Sequence, residues 1–476
     1  MPAALWLVLL PIGTVPVVYL LRRVKLAAIL AAVMALLLGW LAVQLPTGVV
    51  LNLLGRTIEL DPLSQVTLSL LFVSTAFLFL IPLLCPPYTG GTVHSGLKGR
   101  EEKIFYPAGL AILALFVAAS LSRHLGITAI LIEAAAILAV FVIQGERLDS
   151  TRASLRFLTL MSLATPLFLL AAWRIDLYQL SGGQVSAASL GQTVFFVGFG
   201  FALWLAVVPF HSWLTTTAAE SAPATAAFVL IAFPIVALAT LIHLLVDWPW
   251  LVGSVQLVRA IILAGVLTIV VGGGLASVQR GFSQLTGYAA LYDLGCTLMV
   301  LGIGGQAAVV TILVTLIIRA LALTLIAIGI SAIRMRVAGD GFAQVTGVAR
   351  QLPAAVTGLI IGGLTLAGAP LLAGFAPRWQ LIHSSADIAP VLPALLVLAG
   401  LGVAIGYLRG LSATLILEKS TKNGRRLKAP LIFAEPHLLL VLISLLVVIT
   451  ILLGLFPSLL IEPLQSWTGA VSFPIQ

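Results

Sequence analysis

Charged residues are scarce in this sequence, and cysteine is almost absent. Only 9% of the 476 residues are charged and 61% are hydrophobic, whereas a soluble globular domain carries roughly 25% charged residues. The composition therefore excludes an ordinary soluble domain and indicates a polytopic membrane protein. The 2 cysteines, Cys85 and Cys296, lie far apart in the chain, which argues against a disulfide framework and a cysteine-based metal site.

The short motifs that mark many catalytic and cofactor sites are also missing. The chain has no CxxC, HExxH or GxSxG motif and no glycine-rich phosphate loop. We therefore expect no metal site, no bound cofactor and no redox active site in this chain alone. The net charge of +9 does not indicate nucleic acid as a partner, because the basic residues are spread over many loops instead of forming one patch.

Long apolar segments occupy most of the sequence. A transmembrane helix needs about 20 mainly apolar residues, and its backbone must satisfy its hydrogen bonds within the segment. The sequence therefore predicts an all-α polytopic membrane protein with about fourteen transmembrane helices. The predicted spans are residues 3–21, 26–44, 63–85, 104–122, 125–144, 155–173, 192–210, 222–247, 255–276, 284–303, 306–333, 354–376, 390–408 and 436–461.

Lysine and arginine are distributed unevenly between the two sides of the membrane. If both termini lie outside, 19 of the 25 Lys and Arg residues fall in cytoplasmic loops, 5 fall on the external side and Arg319 lies within a span. This asymmetry follows the positive-inside rule. We expect a multi-pass protein of the prokaryotic inner (plasma) membrane with both termini outside. The basic run at residues 419–428 is then a solvated loop that faces the lipid bilayer.

Proline and glycine interrupt two of the predicted spans. Pro209 interrupts the seventh span, and Pro370 and Gly374 interrupt the twelfth. Proline removes a helical hydrogen bond, and broken backbone at membrane depth is tolerated only where it is buried in protein or lines a water-filled space. Because the breaks are five spans apart, they predict two inverted five-helix repeats. The predicted segments are 1–103 (helices 1–3), 104–247 (first repeat, spans 4–8), 255–409 (second repeat, spans 9–13) and 410–476 (basic loop and last helix).

The residues around both breaks resemble a known family. Residues 209–214 (Pro-Phe-His-Ser-Trp-Leu) are similar to its PFHxWLP motif, residues 364–375 to SLAGIPxxAGF, residues 61–63 to DPLS, residues 287–295 to AYSSISHxG, residues 319–321 to KALLF and residues 156–158 to KYF. Over roughly residues 60–380 the chain therefore resembles the proton-translocating antiporter-like membrane subunits. These are subunits N, M and L of NADH–quinone oxidoreductase and the corresponding membrane subunit of cation/proton antiporters, and the resemblance is closest to subunit N.

The resemblance also exposes a departure, because this chain lacks the central lysines of the family. No lysine occurs between Lys103 and Lys419. The resemblance implies that Glu133 is the family's buried glutamate, which pairs with a lysine so that the two groups can exchange a proton. The central lysine positions fall on Trp204 and Ile235, neither of which can carry a proton.

Arginine occupies two further positions of the relay. Arg319 stands where the family has a lysine on span 11, and Arg378 stands where it has lysine or glutamate at the end of span 12. Arginine stays protonated in proteins, so both are poor stepwise proton carriers. The proton path that the resemblance implies runs through Glu133, His211, Asp293, Arg319 and Arg378.

Members of this path also have simpler interpretations. Glu133 is either a proton-exchanging carboxylate or a neutral acid that joins two helices by hydrogen bonds. Asp293 either pairs with Arg319, so that both charges are neutralised, or belongs to a rewired relay. His211, with Glu220 nearby in sequence, is either part of a half-channel from the cytoplasm or a loop histidine bonded to broken backbone.

The resemblance implies a membrane-arm subunit of a complex I–type energy-converting complex, which contributes to proton translocation coupled to electron transfer. Quinone, flavin and iron–sulfur clusters then belong to partner subunits. Those partners include other antiporter-like and small membrane subunits and a hydrophilic redox arm. Two alternatives stay open: a non-pumping scaffold subunit of such a complex, and the membrane subunit of a cation/proton antiporter or inorganic-carbon uptake complex.

Overall fold

A computed structural model describes most of the chain. The described residues are 3–22, 24–48, 50–53, 56–85, 101–145, 150–181, 187–253, 255–305, 307–337, 339–416 and 435–468. The basic run at 419–428, which the sequence assigns to a solvated loop, lies outside the described residues.

The described chain is almost entirely helical. Its helices are α1 (Trp6–Leu20), α2 (Leu26–Gln44), α3 (Pro62–Leu84), α4 (Glu101–Leu121), α5 (Leu125–Gln144), α6 (Thr151–Leu180), α7 (Ala187–Trp204), α8 (Ser212–Glu220), α9 (Pro223–Asp247), α10 (Pro249–Val252), α11 (Val255–Val278), α12 (Phe282–Ile303), α13 (Ala308–Arg334), α14 (Pro353–Ala367), α15 (Phe375–Ala386), α16 (Val391–Leu415), α17 (His437–Leu455) and α18 (Ser458–Thr468). Ala3–Leu5 and Val348–Arg350 form short 3-10 turns.

Among the described residues, one β-hairpin departs from the predicted all-α chain. Its strands, β1 (Val50–Leu53) and β2 (Arg56–Glu59), pair antiparallel between α2 and α3. Ile58 of β2 also bridges Ser122, just before α5. The hairpin therefore covers one end of the helical bundle, and we call that end the hairpin end.

The helices agree with a polytopic membrane protein. Within the described residues, 11 helices are long and apolar enough to cross a membrane, and three shorter apolar helices cover Trp6–Leu20, Leu190–Trp204 and Pro353–Ala367. Every predicted span overlaps one of these helices. The number of membrane crossings, the division into two repeats and the four-segment boundaries stay predictions.

The interior of the bundle is formed by three helices that are apolar on every side. In their most apolar stretches, 89% of α12 and α13 and 83% of α9 is buried, against 33% of α11 and α16 and 22% of α17. A helix that is hydrophobic all round belongs inside a bundle. Two ionisable side chains near the middle of these helices, Asp293 on α12 and Arg319 on α13, are 2% and 0% exposed and are therefore removed from both lipid and bulk water.

Both spans that the sequence predicts to be interrupted are broken, but each helix ends earlier than the sequence predicts. The span predicted to reach residue 210 ends as α7 at Trp204, and α8 begins at Ser212. The span predicted to reach residue 376 ends as α14 at Ala367, and α15 begins at Phe375. The first helix ends early because Pro209 clashes with a helical turn before it. The second ends at Gly368, whose φ of 80° reverses the backbone.

Candidate functional site

Asp293 is the centre of a buried charged cluster. Its carboxylate oxygen Oδ2 accepts a hydrogen bond from Arg319 Nη1 at 2.8 Å, and Oδ1 accepts one from Arg378 Nη2. The exposed fractions are 2% for Asp293, 0% for Arg319 and 6% for Arg378. We call these three residues the arginine–aspartate cluster. It joins α12, α13 and α15, whose sequences are otherwise mainly apolar.

The position of Arg319 depends on a proline in α9. Pro234 has no N–H, so the carbonyl of Leu230, four residues earlier, has no donor in its own helix. That carbonyl accepts hydrogen bonds from Arg319 Nε at 3.1 Å and Nη2 at 3.0 Å. Arg319 Nη1 also donates to the carbonyl of Ala290 at 2.8 Å. The guanidinium is thus nearly saturated with acceptors, as a buried charge requires.

Arg378 reaches Asp293 because of the second helix break. A Cβ atom on Gly368 would lie 2.6 Å from Arg378 Cγ, and one on Gly374 would lie 1.9 Å from the carbonyl oxygen of Thr365. Only glycine allows these two close approaches. Arg378 also lies 5.4 Å from the centre of the Tyr292 ring, within the range of a cation–π contact. The distribution of Lys and Arg in the sequence counts Arg378 among the five basic residues on the external side, at the end of span 12, but its side chain is 6% exposed and lies inside the bundle.

The cluster carries an excess of positive charge. Two guanidiniums share a single carboxylate, so the three groups in their usual charged forms add up to a net charge of about +1. The buried pair of Asp293 with Arg319 is present, and Arg378 adds a second cation to the same carboxylate. A group of net positive charge stabilises a nearby anion and repels a nearby cation. Its membership of a proton path stays a prediction.

Glu133 forms a separate polar site on α5. Its carboxylate accepts hydrogen bonds from the hydroxyls of Ser162 at 2.5 Å and Thr165 at 3.0 Å, both on α6. The side chain is partly exposed, between the exposed Ile130 and Ile137 of the same helix. No described lysine, arginine or histidine pairs with it. Glu133 therefore lacks, within the described chain, the cation that the family relay provides.

The two positions where the family has its central lysines are apolar and tightly packed. Trp204 is 2% exposed, and its ring centre lies 4.1 Å from that of Phe168 and 5.8 Å from that of Phe201. Its indole Nε1 is buried without a hydrogen-bond partner. Ile235 is 1% exposed within α9. Neither position therefore offers a titratable group.

His211 lies in the first break, between α7 and α8. Trp213 Nε1 donates to the carbonyl of Leu203 at 3.1 Å, and the Val208 N–H donates to Thr268 Oγ1 at 3.4 Å, so side chains compensate for the broken helix. The Nδ1 atom of His211 is buried and has no partner. Glu220, close to His211 in sequence, instead accepts a hydrogen bond from the N–H of Ala153 at the start of α6, at 2.9 Å.

An ionic network at the hairpin end was not predicted by any sequence pattern. His243 Nε2 lies 2.9 Å from Asp61 Oδ2, and Arg123 lies within 3.3–3.7 Å of carboxylate oxygens of Glu59, Asp61 and Asp247. Burial alone would raise the pKa of the Asp61 carboxyl, but its contacts with His243, Ser64 and Arg123 hold that pKa well below its usual range. A cavity of about 420 Å³ opens beside this network.

Asp61 could have been assigned a structural role from the sequence. It precedes Pro62, and its side chain accepts a hydrogen bond from the N–H of Ser64, which is the usual arrangement of a helix N-cap followed by proline. His243 lies 182 residues further along the chain, so no local pattern links the two residues. The described residues contain no group of three or more His, Cys, Asp and Glu side chains placed to hold a metal ion.

Comparison with known proteins identifies relatives over much of the chain. The family model described as "NADH:quinone oxidoreductase/Mrp antiporter, TM" matches residues 121–405, more than half of the chain. Formate hydrogenlyase subunit 3 of Escherichia coli is 26% identical over 292 residues, which are 57% of this chain and 47% of that protein. NADH-quinone oxidoreductase subunit N of Cytophaga hutchinsonii is 27% identical over 408 residues, which are 83% of this chain and 84% of that protein.

A solved structure has the same fold. A chain of the Mrp complex from a Dietzia species is similar with a TM-score of 0.80 at 17% identity, over 99% of this chain and 98% of that one. The fold similarity extends beyond the region that the family model matches, and it includes the described helices before α5 and after α16. The chain therefore belongs to the NADH:quinone oxidoreductase/Mrp antiporter transmembrane family.

Proposed function

We propose that this chain is a membrane-arm subunit of a complex I–type energy-converting complex and contributes to proton translocation coupled to electron transfer. The observation that carries the proposal is an ionised cluster, Asp293 with Arg319 and Arg378, held at helix breaks inside a family-typical apolar bundle. Charged side chains inside a membrane are costly and are typical of ion pathways.

The arginine–aspartate cluster and the Glu133 site differ in proton chemistry, so we assign them different roles. Arg319 and Arg378 keep their protons, so the cluster acts as a fixed positive charge that raises the energy of a proton nearby. Glu133 can gain and lose a proton, since its hydroxyl partners on α6 donate to either state of the carboxyl group. We therefore assign proton exchange to Glu133, assisted by His211, and electrostatic control to the cluster.

The proposal extends to the setting of the chain. Electron transfer, with its flavin, iron–sulfur clusters and quinone, takes place in partner subunits, among them a hydrophilic redox arm. Other antiporter-like and small membrane subunits pack beside this chain. We propose that the complex lies in the prokaryotic inner membrane and that both termini of this chain are external, as the distribution of lysine and arginine indicates.

The first test is purification of the tagged chain in a mild detergent, followed by mass spectrometry of the subunits that remain bound. We expect flavin- and iron–sulfur-containing subunits. Isolation of the chain alone, or with a soluble partner that has no redox centre, contradicts the proposal and favours an antiporter or inorganic-carbon uptake role.

The second test separates a pumping subunit from a scaffold. The purified complex is reconstituted in vesicles with a pH-sensitive dye and supplied with the donor of its redox subunits. Glu133→Gln should abolish proton movement by this chain while the complex stays assembled. The scaffold alternative is favoured by the apolar residues at Trp204 and Ile235, and it predicts that the same variant moves protons as the wild type does.

A further inference from the structure

The arginine–aspartate cluster carries one charge that its own residues do not balance. Among the described residues, Asp293 is the one carboxylate within ion-pair distance of Arg319 or Arg378. Two guanidiniums and one carboxylate in their usual charged forms leave a net charge of about +1, although none of the three residues is more than 6% exposed. An unbalanced charge that is removed from water is strongly unfavourable. A counter-ion is therefore expected at the cluster.

Arg378 is the arginine of the cluster whose hydrogen bonds are incomplete. Arg319 donates from all three of its side-chain nitrogen atoms, to the carbonyls of Leu230 and Ala290 and to Asp293. Arg378 donates through Nη2 to Asp293, but its Nε–H is buried and has no acceptor in the described part of the chain. A buried donor without an acceptor is unfavourable. The open donor thus belongs to the same cluster as the unbalanced charge.

The backbone beside Arg378 adds partial positive charge. Arg378 is the fourth residue of α15, so it belongs to the first turn of that helix. The N–H groups of a first turn have no acceptor in their own helix and make the start of the helix partly positive. The partly negative end of α14 is closed, because its last carbonyls accept hydrogen bonds from the N–H groups of Gly368 and Ala369. The surroundings of Arg378 therefore favour an anion.

We propose that the second helix break, residues 368–374, binds a small monovalent anion such as chloride beside Arg378. The anion accepts a hydrogen bond from the Nε–H of Arg378 and cancels the positive charge that Asp293 leaves unbalanced. A monovalent anion fits because the excess is one charge. The anion is small because Gly368 and Gly374 bring the backbone into contacts too close for a bulky ligand.

The anion reaches the cluster through the second break, which lies at the molecular surface. Leu371 in this break is 66% exposed. Gly454 of α17 packs against it, since a Cβ atom on Gly454 would clash with the carbonyl oxygen of Leu371. α17 begins at His437, about 26 Å from Gly454 at about 1.5 Å per residue. The break is therefore near one end of the bundle, within reach of ions in solution.

Binding of an anion gives the cluster two charge states. The empty cluster carries about one positive charge, which raises the energy of a proton nearby. The occupied cluster is close to neutral, so this barrier falls. Chloride thus regulates proton movement through this chain. The regulatory effect rests on the proposed function, whereas the binding of the anion does not.

Anion binding is measured on the purified complex in detergent. The unfolding temperature is followed while chloride replaces gluconate at constant ionic strength. We expect a saturable rise, because a ligand of the folded state stabilises it, and bromide should give the same rise. Arg378→Gln should weaken the apparent affinity for chloride at least tenfold. Arg259→Gln, which removes an exposed arginine of α11, is the matched control and should keep the wild-type affinity.

Two results of this titration overturn the proposal. One is an unfolding temperature that does not depend on chloride, and the other is a chloride dependence that Arg378→Gln leaves intact. A direct measurement needs no variant, so it is informative even if Arg378→Gln does not assemble. Crystals of the wild-type complex in bromide should show an anomalous diffraction peak beside Arg378 Nε. The absence of this peak also overturns the proposal.

Proton movement provides the functional readout. Redox-driven proton movement is compared in vesicles containing chloride or gluconate, with potassium and valinomycin to clamp the membrane potential. The rate should rise with chloride in the wild type and in Arg259→Gln, but not in Arg378→Gln. A wild-type rate that ignores chloride contradicts the regulatory role. If chloride binds and no protons move in either anion, the proposed function is wrong and the site stands. If protons move and no anion binds, only the site is wrong.

Discussion

The two mid-helix carboxylates of this protein, Glu133 and Asp293, differ in almost every physical respect. Asp293 is 2% exposed and bound by two guanidiniums, whereas Glu133 is partly exposed and bound by two hydroxyls. Two adjacent arginines favour the ionised form of a carboxylate, whereas neutral hydrogen-bond partners do not select one form. Under the proposed function, the Asp293 site is therefore assigned the permanent charge and the Glu133 site the exchangeable proton.

The two helix breaks account for much of this difference. In the second break, Gly368 and Gly374 let the chain approach so closely that Arg378 enters the core. In the first break, α7 ends at Trp204, which packs on Phe168 instead of supplying a charge. Similar interruptions of a helix therefore have opposite electrostatic results, because the residue at the edge of each break differs.

The largest effect should follow from removal of the central anion. Asp293→Asn leaves two buried guanidiniums without a counter-charge. Loss of one partner of a buried ion pair costs about 3–5 kcal/mol, and here two cations are left. We expect loss of assembly or a large drop in the unfolding temperature of the detergent-purified complex.

Arg378→Gln is the matched control for that variant. It leaves a neutral one-to-one pair of Asp293 and Arg319, so its effect on the unfolding temperature should be clearly smaller. Equal destabilisation by both variants would contradict the excess positive charge of the cluster.

Gly374→Ala should have the next largest effect, because it distorts the break that delivers Arg378. The new Cβ would lie 1.9 Å from the carbonyl oxygen of Thr365, so the backbone must move. Overpacking of this kind costs about 1–3 kcal/mol. Gly274→Ala on α11 is the control, since no atom lies within 4 Å of its added Cβ and alanine favours a helix. Relative to the wild type, the unfolding temperature should fall in the Gly374→Ala variant and rise in the Gly274→Ala variant.

The sequence alone predicted the features that depend on local chemistry. Apolar segments predicted the helices, and Pro209 and Pro370 predicted the two interruptions. The pair of Asp293 with Arg319 was one of the two interpretations that the sequence left open, because opposite charges in apolar spans can neutralise each other. These inferences use only the residue types and the surroundings that a membrane imposes.

Other features depend on how distant segments meet. The sequence places Arg378 at the end of an apolar span. Only the reversal of the backbone at Gly368 brings its side chain to Asp293. The contact of His243 with Asp61 joins residues with no local relation. The partial exposure of Glu133 was missed because α5 is apolar on all faces, so periodicity does not distinguish its buried side.

Ser162→Ala should have a smaller effect than any of the three substitutions at or near the cluster. It removes one hydroxyl from Glu133 and leaves the bond from Thr165 in place. A single hydrogen bond contributes about 0.5–1.5 kcal/mol net. The unfolding temperature of the complex should fall slightly, and Ser154→Ala is the control, since that hydroxyl only bonds a carbonyl of its own helix region. A fall as large as that of Asp293→Asn would mean that the Glu133 site is also a structural charge centre.

The smallest effect on stability should come from Glu133→Gln. The carboxylate balances no cation within the described chain, so its neutralisation leaves no unpaired charge, and the amide oxygen still accepts a hydrogen bond from one hydroxyl. We expect a change in unfolding free energy of less than about 1 kcal/mol when the isolated chain is studied in detergent. Thermal unfolding of the isolated wild type and of the variant, measured side by side, gives this change. A substitution that is severe in the isolated chain would show that the cation of Glu133 comes from this chain after all.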